Sequence, residues 1–467
     1  MKSALPKVLH PIAGRPLLWH AVAAARGLDP QHLLVVIGHG REQVAGYLAE
    51  AEPEAVPVVQ DRQLGTGHAV RTALSSVDEL DGTVVVTYGD VPLLTTETLA
   101  ELIAAHTASS AGATVLTAQL PDPAGLGRIV RSPDGLLASI VEEKDATAEQ
   151  RAITEVNSGI YVFDGKLLRA ALGQLSTANA QGEEYLTDVI GILRADGQSV
   201  AAVPAADPDQ TLGVNDRVQL AQVGRLLNER LLEQWMRAGV TVVDPATTRV
   251  DTTVVLEPDV VLQPGTRLEG DTVIRTGAVI GPDCTLRDTE VGAGAVIWYA
   301  VARGARIGAD ATIGPYVSLR PGTTLADGVH VGTFVEMKNA EVGPGTKVPH
   351  LSYVGDAAIG EQSNIGAATV TVNYDGISKH RTVIGSHVRT GSGNMFVAPV
   401  TVGDGAYTAA GSVITDDVPA GAMGVSRARQ RNIAGWVERR RAGTAAAEAA
   451  ARAREQSEQD AGDAGAG

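Results

Sequence analysis

An apolar side chain returns every sixth residue over a long stretch of this chain, and few folds accommodate that period. Leu256, Leu262, Leu268, Ile274, Ile280 and Leu286 stand at unbroken six-residue spacing. After register slips come Ile307, Ile313, Leu319, Leu325, Val331 and Met337, then Ile384, Thr390, Phe396, Val402, Thr408 and Ile414. Between them fall residues that accept corner dihedrals, such as Gly308, Gly314, Pro315, Gly343, Gly403 and Asp404. The spacing predicts a parallel β-helix of hexapeptide repeats, in which three hexads close a triangular coil and one aliphatic per hexad points inward. Roughly 160 residues at about 18 per coil give a rod near 40 Å long at ~4.8 Å per coil. A β-sandwich with glycine turns does not hold a strict period of six.

The repeat is broken once, at Val372 to Val383, reading V-N-Y-D-G-I-S-K-H-R-T-V. A polar insertion in a solenoid must loop outward, and such loops commonly carry function.

The 467 residues suit two or three domains. A net charge of −16 argues against nucleic acid as a partner and against attraction to anionic membranes, so any basic site is local. No apolar run reaches the ~18 to 20 residues that span a bilayer, so no membrane insertion is expected. The lone Cys284 excludes an intrachain disulfide framework and a multi-cysteine zinc site. The simplest expectation is a soluble, cytoplasmic protein.

Residues 1–216 read as an α/β domain with a Rossmann-like, mixed but mostly parallel sheet. Apolar runs at His32 to Ile37, Val56 to Val59, Thr83 to Thr87 and Ala113 to Ala118 alternate with helical patterns at Arg15 to Leu28, Arg41 to Glu50 and Thr95 to Thr107. Ligands bind beyond the carboxyl ends of such strands, where T-Y-G-D-V-P-L places Tyr88, Gly89 and Asp90. A carboxylate there suits a Mg²⁺ held against substrate phosphates, although Asp90 could also simply cap a turn before Pro92. Asn215 to Gly239 reads as one helix with Leu220, Val223, Leu227, Leu231 and Trp235 on a stripe, a linker assigned to 217–243. The β-helix domain is then 244–435, and the Ala-rich tail 436–467 has too few apolar residues for a core and is expected to be mobile.

An ordered set of motifs carries a resemblance. L-P-K-V-L-H-P-I-A-G-R-P-L (Leu5 to Leu17), Q-L-G-T-G-H-A (Gln63 to Ala69), T-Y-G-D-V-P-L (Thr87 to Leu93), G-R-I-V-R (Gly127 to Arg131), I-V-E-E-K-D-A (Ile140 to Ala146) and E-V-N-S-G-I (Glu155 to Ile160) lie in the first half. L-R-P-G (Leu319 to Gly322), H-V-G-T-F-V-E-M-K (His330 to Lys338), H-L-S-Y-V-G-D (His350 to Asp356), N-I-G-A (Asn364 to Ala367) and N-Y-D-G (Asn373 to Gly376) lie in the second. Over about residues 3 to 435 the chain resembles the bacterial bifunctional uridylyltransferase and acetyltransferase family that makes UDP-N-acetylglucosamine. The resemblance implies that the β-helix is left-handed. It implies acetyl transfer from acetyl-CoA to glucosamine 1-phosphate, then uridylyl transfer from UTP with pyrophosphate release, for peptidoglycan and, where made, lipid A.

By that resemblance Lys7 is the phosphate cation, and Asp90 with Asn215 holds Mg²⁺. Gln60, Gly65 and Thr66 look like uracil contacts; Gly127, Glu142 and Asn157 look like sugar contacts. Tyr88 and Gly89 complete the nucleotide-sugar set. His350 resembles the general base that keeps the attacking amine neutral. Arg320 and Lys338 match the sugar-phosphate site, with Tyr353 and Asn364 beside them. Ala367, Asn373, Tyr374, Ser392, Ala410 and Arg427 match positions that bind acetyl-CoA. Family members stack three rods into a homotrimer with the acetyl site between neighbours, and Cys284 has no chemical part.

In the family a first strand and a glycine-rich loop ending in Arg and Met precede L-P-K-V-L-H, whereas here the motif's own methionine is Met1. The expectation is a sheet without its central strand and weak or absent uridylyl transfer, through a start placed downstream or a true truncation. Two other readings remain: an acetyltransferase alone, and a nucleotidyltransferase with a purely structural β-helix.

Overall fold

The apolar series of the second half all face one interior: no residue of the three runs is more than 6% exposed. The computed structural model describes residues 1–78, 80–133 and 135–464. Short strands pair in parallel with the strand one coil on, Val255 with Val273, Val261 with Val279 and Arg267 with Thr285. The pairs accumulate into parallel ladders of seven and seventeen strands, the left-handed β-helix of hexapeptide repeats. The polar interruption leaves the rod as expected. Ala357 pairs with Thr382 and Ile359 with Ile384, and the residues between them include an outward loop whose Ile377 is 91% exposed.

The hexad reading names one inward residue, but the structure shows two. The second lies two residues earlier and is small: Thr266, Thr272, Ala278, Cys284, Ala295 and Ala311 are all fully buried. The hydroxyls of Thr266 and Thr272 donate to the carbonyls of Gln263 and Glu269, both at 2.7 Å, so these polar groups enter the core paired. Cys284 is a member of this small series, and burial pushes its thiol pKa up, which suits packing rather than reaction.

In the first half α1 (Leu17–Arg26), β1 (Leu34–Ile37), α2 (Arg41–Ala51), β2 (Val56–Val59), α3 (Thr66–Leu74), β3 (Thr83–Val86), α4 (Thr96–Ser109) and β4 (Ala113–Gln119) alternate. The sequence reading lacks only α3, which begins inside Q-L-G-T-G-H-A. Then come β5 (Arg128–Arg131), β6 (Leu137–Val141), β7 (Glu155–Asp164), α5 (Gly165–Leu172), α6 (Asp188–Ala195) and β8 (Val200–Pro204). The main sheet is mixed. β7 runs antiparallel to both β3 and β4, while β8 is parallel to β4, so β3, β4 and β8 share one direction. β5 and β6 add an antiparallel pair. β1 and β2 form a separate parallel pair, bonded to no strand of the six-stranded sheet among the described residues.

A helix, α7 (Arg217–Arg237), connects the halves. Asp216 caps it, its carboxylate accepting from the amides of Val218 and Gln219 at 2.8 Å. Leu220, Val223, Leu227 and Leu231 pack with Ile12, Leu17 and Leu93, whereas Leu232 and Trp235 pack on the β-helix core. Buried Asn228 donates to the Thr248 carbonyl (3.0 Å) and accepts from the Val250 amide (3.1 Å), pegging the helix to the first coil. The tail is helical over Trp436–Arg440 and Ala445–Ala464, with an Arg454–Glu438 ion pair between the two helices. Residues 465–467 of the tail lie outside the described residues. No helix among them is long and apolar enough to cross a membrane.

Candidate functional site

Tyr88, Gly89 and Asp90 follow β3 directly, at its carboxyl end, as the sequence predicts. Asp90 is met there by two residues distant in the chain. The Lys7 ammonium pairs with the Asp90 carboxylate and donates at 3.0 Å to Oδ1 of Asn215. An anionic and a neutral oxygen therefore converge on one cation, and this donor set fits Mg²⁺, which favours hard oxygen ligands. The Tyr88 ring lies against the backbone of Gly159: a Cβ at that position would stand 1.9 Å from Cε2, so only glycine fits. Burial, and then the charges of Glu142 and Asp90, push the Tyr88 phenol up to about 12. The hydroxyl stays protonated throughout the neutral range.

Gly127, Glu142 and Asn157 are brought together. The Asn157 amide donates to the Gly127 carbonyl at 2.8 Å, and a Cβ on Gly127 would lie 3.5 Å from Glu142 Oε2. Burial raises the Glu142 carboxyl pKa, partly opposed by the Thr187 hydroxyl, which donates at 3.2 Å. Gln60 donates to the Gly65 carbonyl at 3.3 Å and contacts Nδ1 of His68 at 2.8 Å, holding the loop into α3. The Thr66 hydroxyl accepts from the Leu186 amide at 3.0 Å, tying the same loop to the start of α6.

The β-helix aligns its candidates by stacking. Thr333 pairs with His350, and the carbonyls of His350, Ala367 and Ser392 accept from Ala368, Gly393 and Gly411 at 3.2, 2.7 and 2.8 Å. Thr333, His350, Ala367, Ser392 and Ala410 thus form one column along the rod, with His350 exposed at its surface. Across the corner Leu351–Ser352 begins a second group. The Arg320 amide donates to the Met337 carbonyl at 2.8 Å and Lys338 pairs with Gly355, so the two cations sit on successive coils of one face. Tyr353 folds over that face, its hydroxyl 2.4 Å from where a Cβ of Gly355 would stand. Asn364 bridges Lys347 and Arg389 one coil to either side. Asn373 and Tyr374 open the outward loop, and the exposed Arg427 lies beyond the last strand, Met423–Gly424.

Comparison with known proteins agrees with both halves. The MobA-like NTP transferase domain family matches residues 1–158. The bifunctional protein GlmU of Streptomyces avermitilis is 60% identical over 452 residues, 96% of this chain and 94% of its own length. GlmU of Streptomyces coelicolor is 59% identical over 452 residues, and GlmU of Corynebacterium efficiens 56% over 457, with 96% and 97% of this chain covered and 94% of each relative. The chain belongs to the GlmU family of bifunctional proteins.

The geometry adds residues that the sequence reading leaves out. Lys379, on the outward loop, stands near Lys338, and the contact with that like charge lowers the Lys379 pKa. Its only signal in the sequence is a lysine within the one interruption of the repeat. Arg128, 2% exposed, pairs with Glu143 at 2.6 Å and donates to the Leu126 and Arg151 carbonyls, bracing the Gly127 turn. Thr187 has no motif at all, because its contact with Glu142 joins segments 45 residues apart.

Proposed function

We propose that the chain makes UDP-N-acetylglucosamine in two steps, each carried by one half. Residues 244–435 transfer the acetyl group of acetyl-CoA to glucosamine 1-phosphate. Residues 1–216 transfer uridylyl from UTP to the N-acetylated product and release pyrophosphate, with 217–243 as the linker. The chain is a UDP-N-acetylglucosamine diphosphorylase and a glucosamine-1-phosphate N-acetyltransferase, and its product supplies peptidoglycan synthesis. The observation that carries the reading is near full-length likeness to bifunctional GlmU relatives.

In acetyl transfer His350 takes a proton from the sugar ammonium, the freed amine attacks the thioester carbonyl, the C–N bond forms and the C–S bond breaks, and coenzyme A leaves as the thiol. Arg320, Lys338 and Lys379 hold the sugar phosphate; Tyr353 and Asn364 contact the sugar and acetyl group. Ala367, Asn373, Tyr374, Ser392, Ala410 and Arg427 hold the coenzyme. In uridylyl transfer the sugar phosphate oxygen attacks the α-phosphorus of UTP in line, so the site mainly orients and neutralises anions. Mg²⁺ bound by Asp90 and Asn215 would offset phosphate charge. Lys7 adds a second cation, Gln60, Gly65 and Thr66 contact uracil, and Tyr88, Gly89, Gly127, Glu142 and Asn157 contact the sugar.

The working form is a homotrimer in the cytoplasm. Support comes from an exposed ladder, Tyr299, Tyr316, Phe334 and Leu351, between 38% and 59% exposed, that runs beside the His350 column. All four have positive φ, a cost that bulky residues seldom bear without a function. The Tyr299–Tyr316 and Tyr316–Phe334 ring centroids are 5.6 and 5.3 Å apart. Assaying coenzyme A release with glucosamine 1-phosphate, and separately pyrophosphate release with UTP, Mg²⁺ and N-acetylglucosamine 1-phosphate, tests the function. Likeness to bifunctional relatives over 94% of their length replaces the expectation of weak or absent uridylyl transfer and the two single-activity readings; both activities are expected, and loss of either overturns the bifunctional reading. Sedimentation at a mass other than three chains overturns the trimer.

A further inference from the structure

One buried carboxylate joins three elements of the acetyl-transfer site. Asp356 lies in the strand Tyr353–Ile359, is 9% exposed and has a φ of +49°. Its Oδ1 accepts from the side-chain Nδ2 of Asn339 at 2.8 Å and its Oδ2 from Nδ2 of Asn373 at 2.5 Å. The same Oδ2 lies 3.7 Å from the Lys338 ammonium. Lys338 and Asn339 belong to the neighbouring strand Glu336–Val342, and Asn373 is the root of the outward loop, which closes on itself where the His380 amide donates to the Asn373 carbonyl at 2.9 Å. Removing a carboxylate from water is costly unless it is paired and hydrogen-bonded, and Asp356 is both. A structural carboxylate in this rod would need only the corner amides, yet this one is aimed at a lysine and at the loop that carries Lys379.

We propose that Asp356 is a positioning residue for acetyl transfer: it fixes the Lys338 ammonium and the root of the Asn373–His380 loop so that Arg320, Lys338 and Lys379 converge on the phosphate of the amino sugar. This rests on the functional reading above. Glu336 pairs with Arg320 at 2.9 Å, and Asp356 supplies the negative charge beside Lys338 and Lys379, which lets the two lysines stand near each other without driving each other apart. Burial pushes the Asp356 carboxyl pKa up, but the Asn339 and Asn373 hydrogen bonds and the two lysine charges outweigh it, and the net shift is downward. The group is therefore a carboxylate throughout the neutral range.

The test uses the full chain and the nearly isosteric Asp356→Asn. The expected result is a rise of about tenfold or more in KM for glucosamine 1-phosphate, larger than the rise in KM for acetyl-CoA, which Asn373 and Tyr374 also touch. Acetyl-CoA should raise the melting temperature of the variant and of the wild type alike, which reports a folded rod. Because Asp356 acts partly through Lys338, adding Asp356→Asn to Lys338→Met should raise KM by less than the product of the two single effects. An unchanged KM in Asp356→Asn, full additivity with Lys338→Met, or joint loss of kcat and of the coenzyme's thermal effect would each overturn the proposal. A wild-type chain that releases no coenzyme A would instead overturn the functional reading beneath it.

Discussion

In the β-helix, Thr333, His350, Ala367, Ser392 and Ala410 reach one line because each stands one coil above the last, whereas in the α/β half Lys7, Asp90 and Asn215 meet only because three remote segments fold to one point. The first arrangement inherits its order from a repeat: once the hexad period fixes the coil, neighbours in the site are set by strand pairing. The second depends on tertiary closure, with Lys7 and Asn215 208 residues apart. The cores differ in the same way. The rod has one continuous apolar column, while the α/β half is divided among several clusters.

The largest expected effect separates the halves chemically. His350→Ala should reduce acetyl transfer by about 10²- to 10⁴-fold, the usual range for a general base, and leave pyrophosphate release from UTP unchanged. Measured coenzyme A release at wild-type rate would remove His350 from the chemistry; equal loss of both reactions would mean that the halves are not independent. The reciprocal change is Lys7→Met, for which uridylyl transfer should fall by about 10²- to 10³-fold, as when one preorganised contact to developing charge is removed. Acetyl transfer should persist. If Lys7→Met also abolishes coenzyme A release, the comparison of two separately built sites fails.

What could be read beforehand follows the same division. Leu256 through Ile414 announce the rod because a one-dimensional repeat is fully written in local spacing. The strands at Val56–Val59 and Thr83–Val86 were equally plain, as continuous apolar runs. Helix α3 was hidden because Gly65 and Gly67 weaken its helical pattern and its first turn overlaps a binding-like motif. The second inward series was missed since Thr266 and Thr272 look polar until their hydroxyls are seen on carbonyls. For the sites, the resemblance supplied individual residues but not their linkages. Nothing in local spacing says that Thr187 reaches Glu142, or that Asp356 gathers Asn339 and Asn373.

A smaller contrast should appear in native-state hydrogen exchange. β1 and β2 form a two-stranded sheet, Val56 and Val59 are 52% and 41% exposed, and a pair of strands alone is marginal. Amides of Leu34 to Ile37 should exchange at least about tenfold faster than those of Val331 and Met337, which have paired coils above and below. Equal protection would show that packing on α1 and α2 secures β1 and β2 as well as stacking secures the rod.

The smallest effect concerns the loop that interrupts the repeat. Asp375 accepts from the Ser378 and Ile377 amides at 2.7 and 2.8 Å and lies 2.8 Å from His380 Nε2; these contacts, the Ser378 bond first, hold its carboxyl at about 2. A carboxyl lowered from 3.8 on folding contributes stability above about 3.8 and loses it as pH falls toward 2. Asp375→Asn should therefore lower the melting temperature slightly at neutral pH, with the difference from wild type shrinking between pH 4 and pH 2. Because the loop is exposed, the shift should be far smaller than that from any truncation in the apolar column, such as Phe396→Ala at about 3–5 kcal/mol. A pH-independent difference would assign the loop's order to its backbone turn alone, making this excursion more like the rod it interrupts than like the loop-built site in the other half.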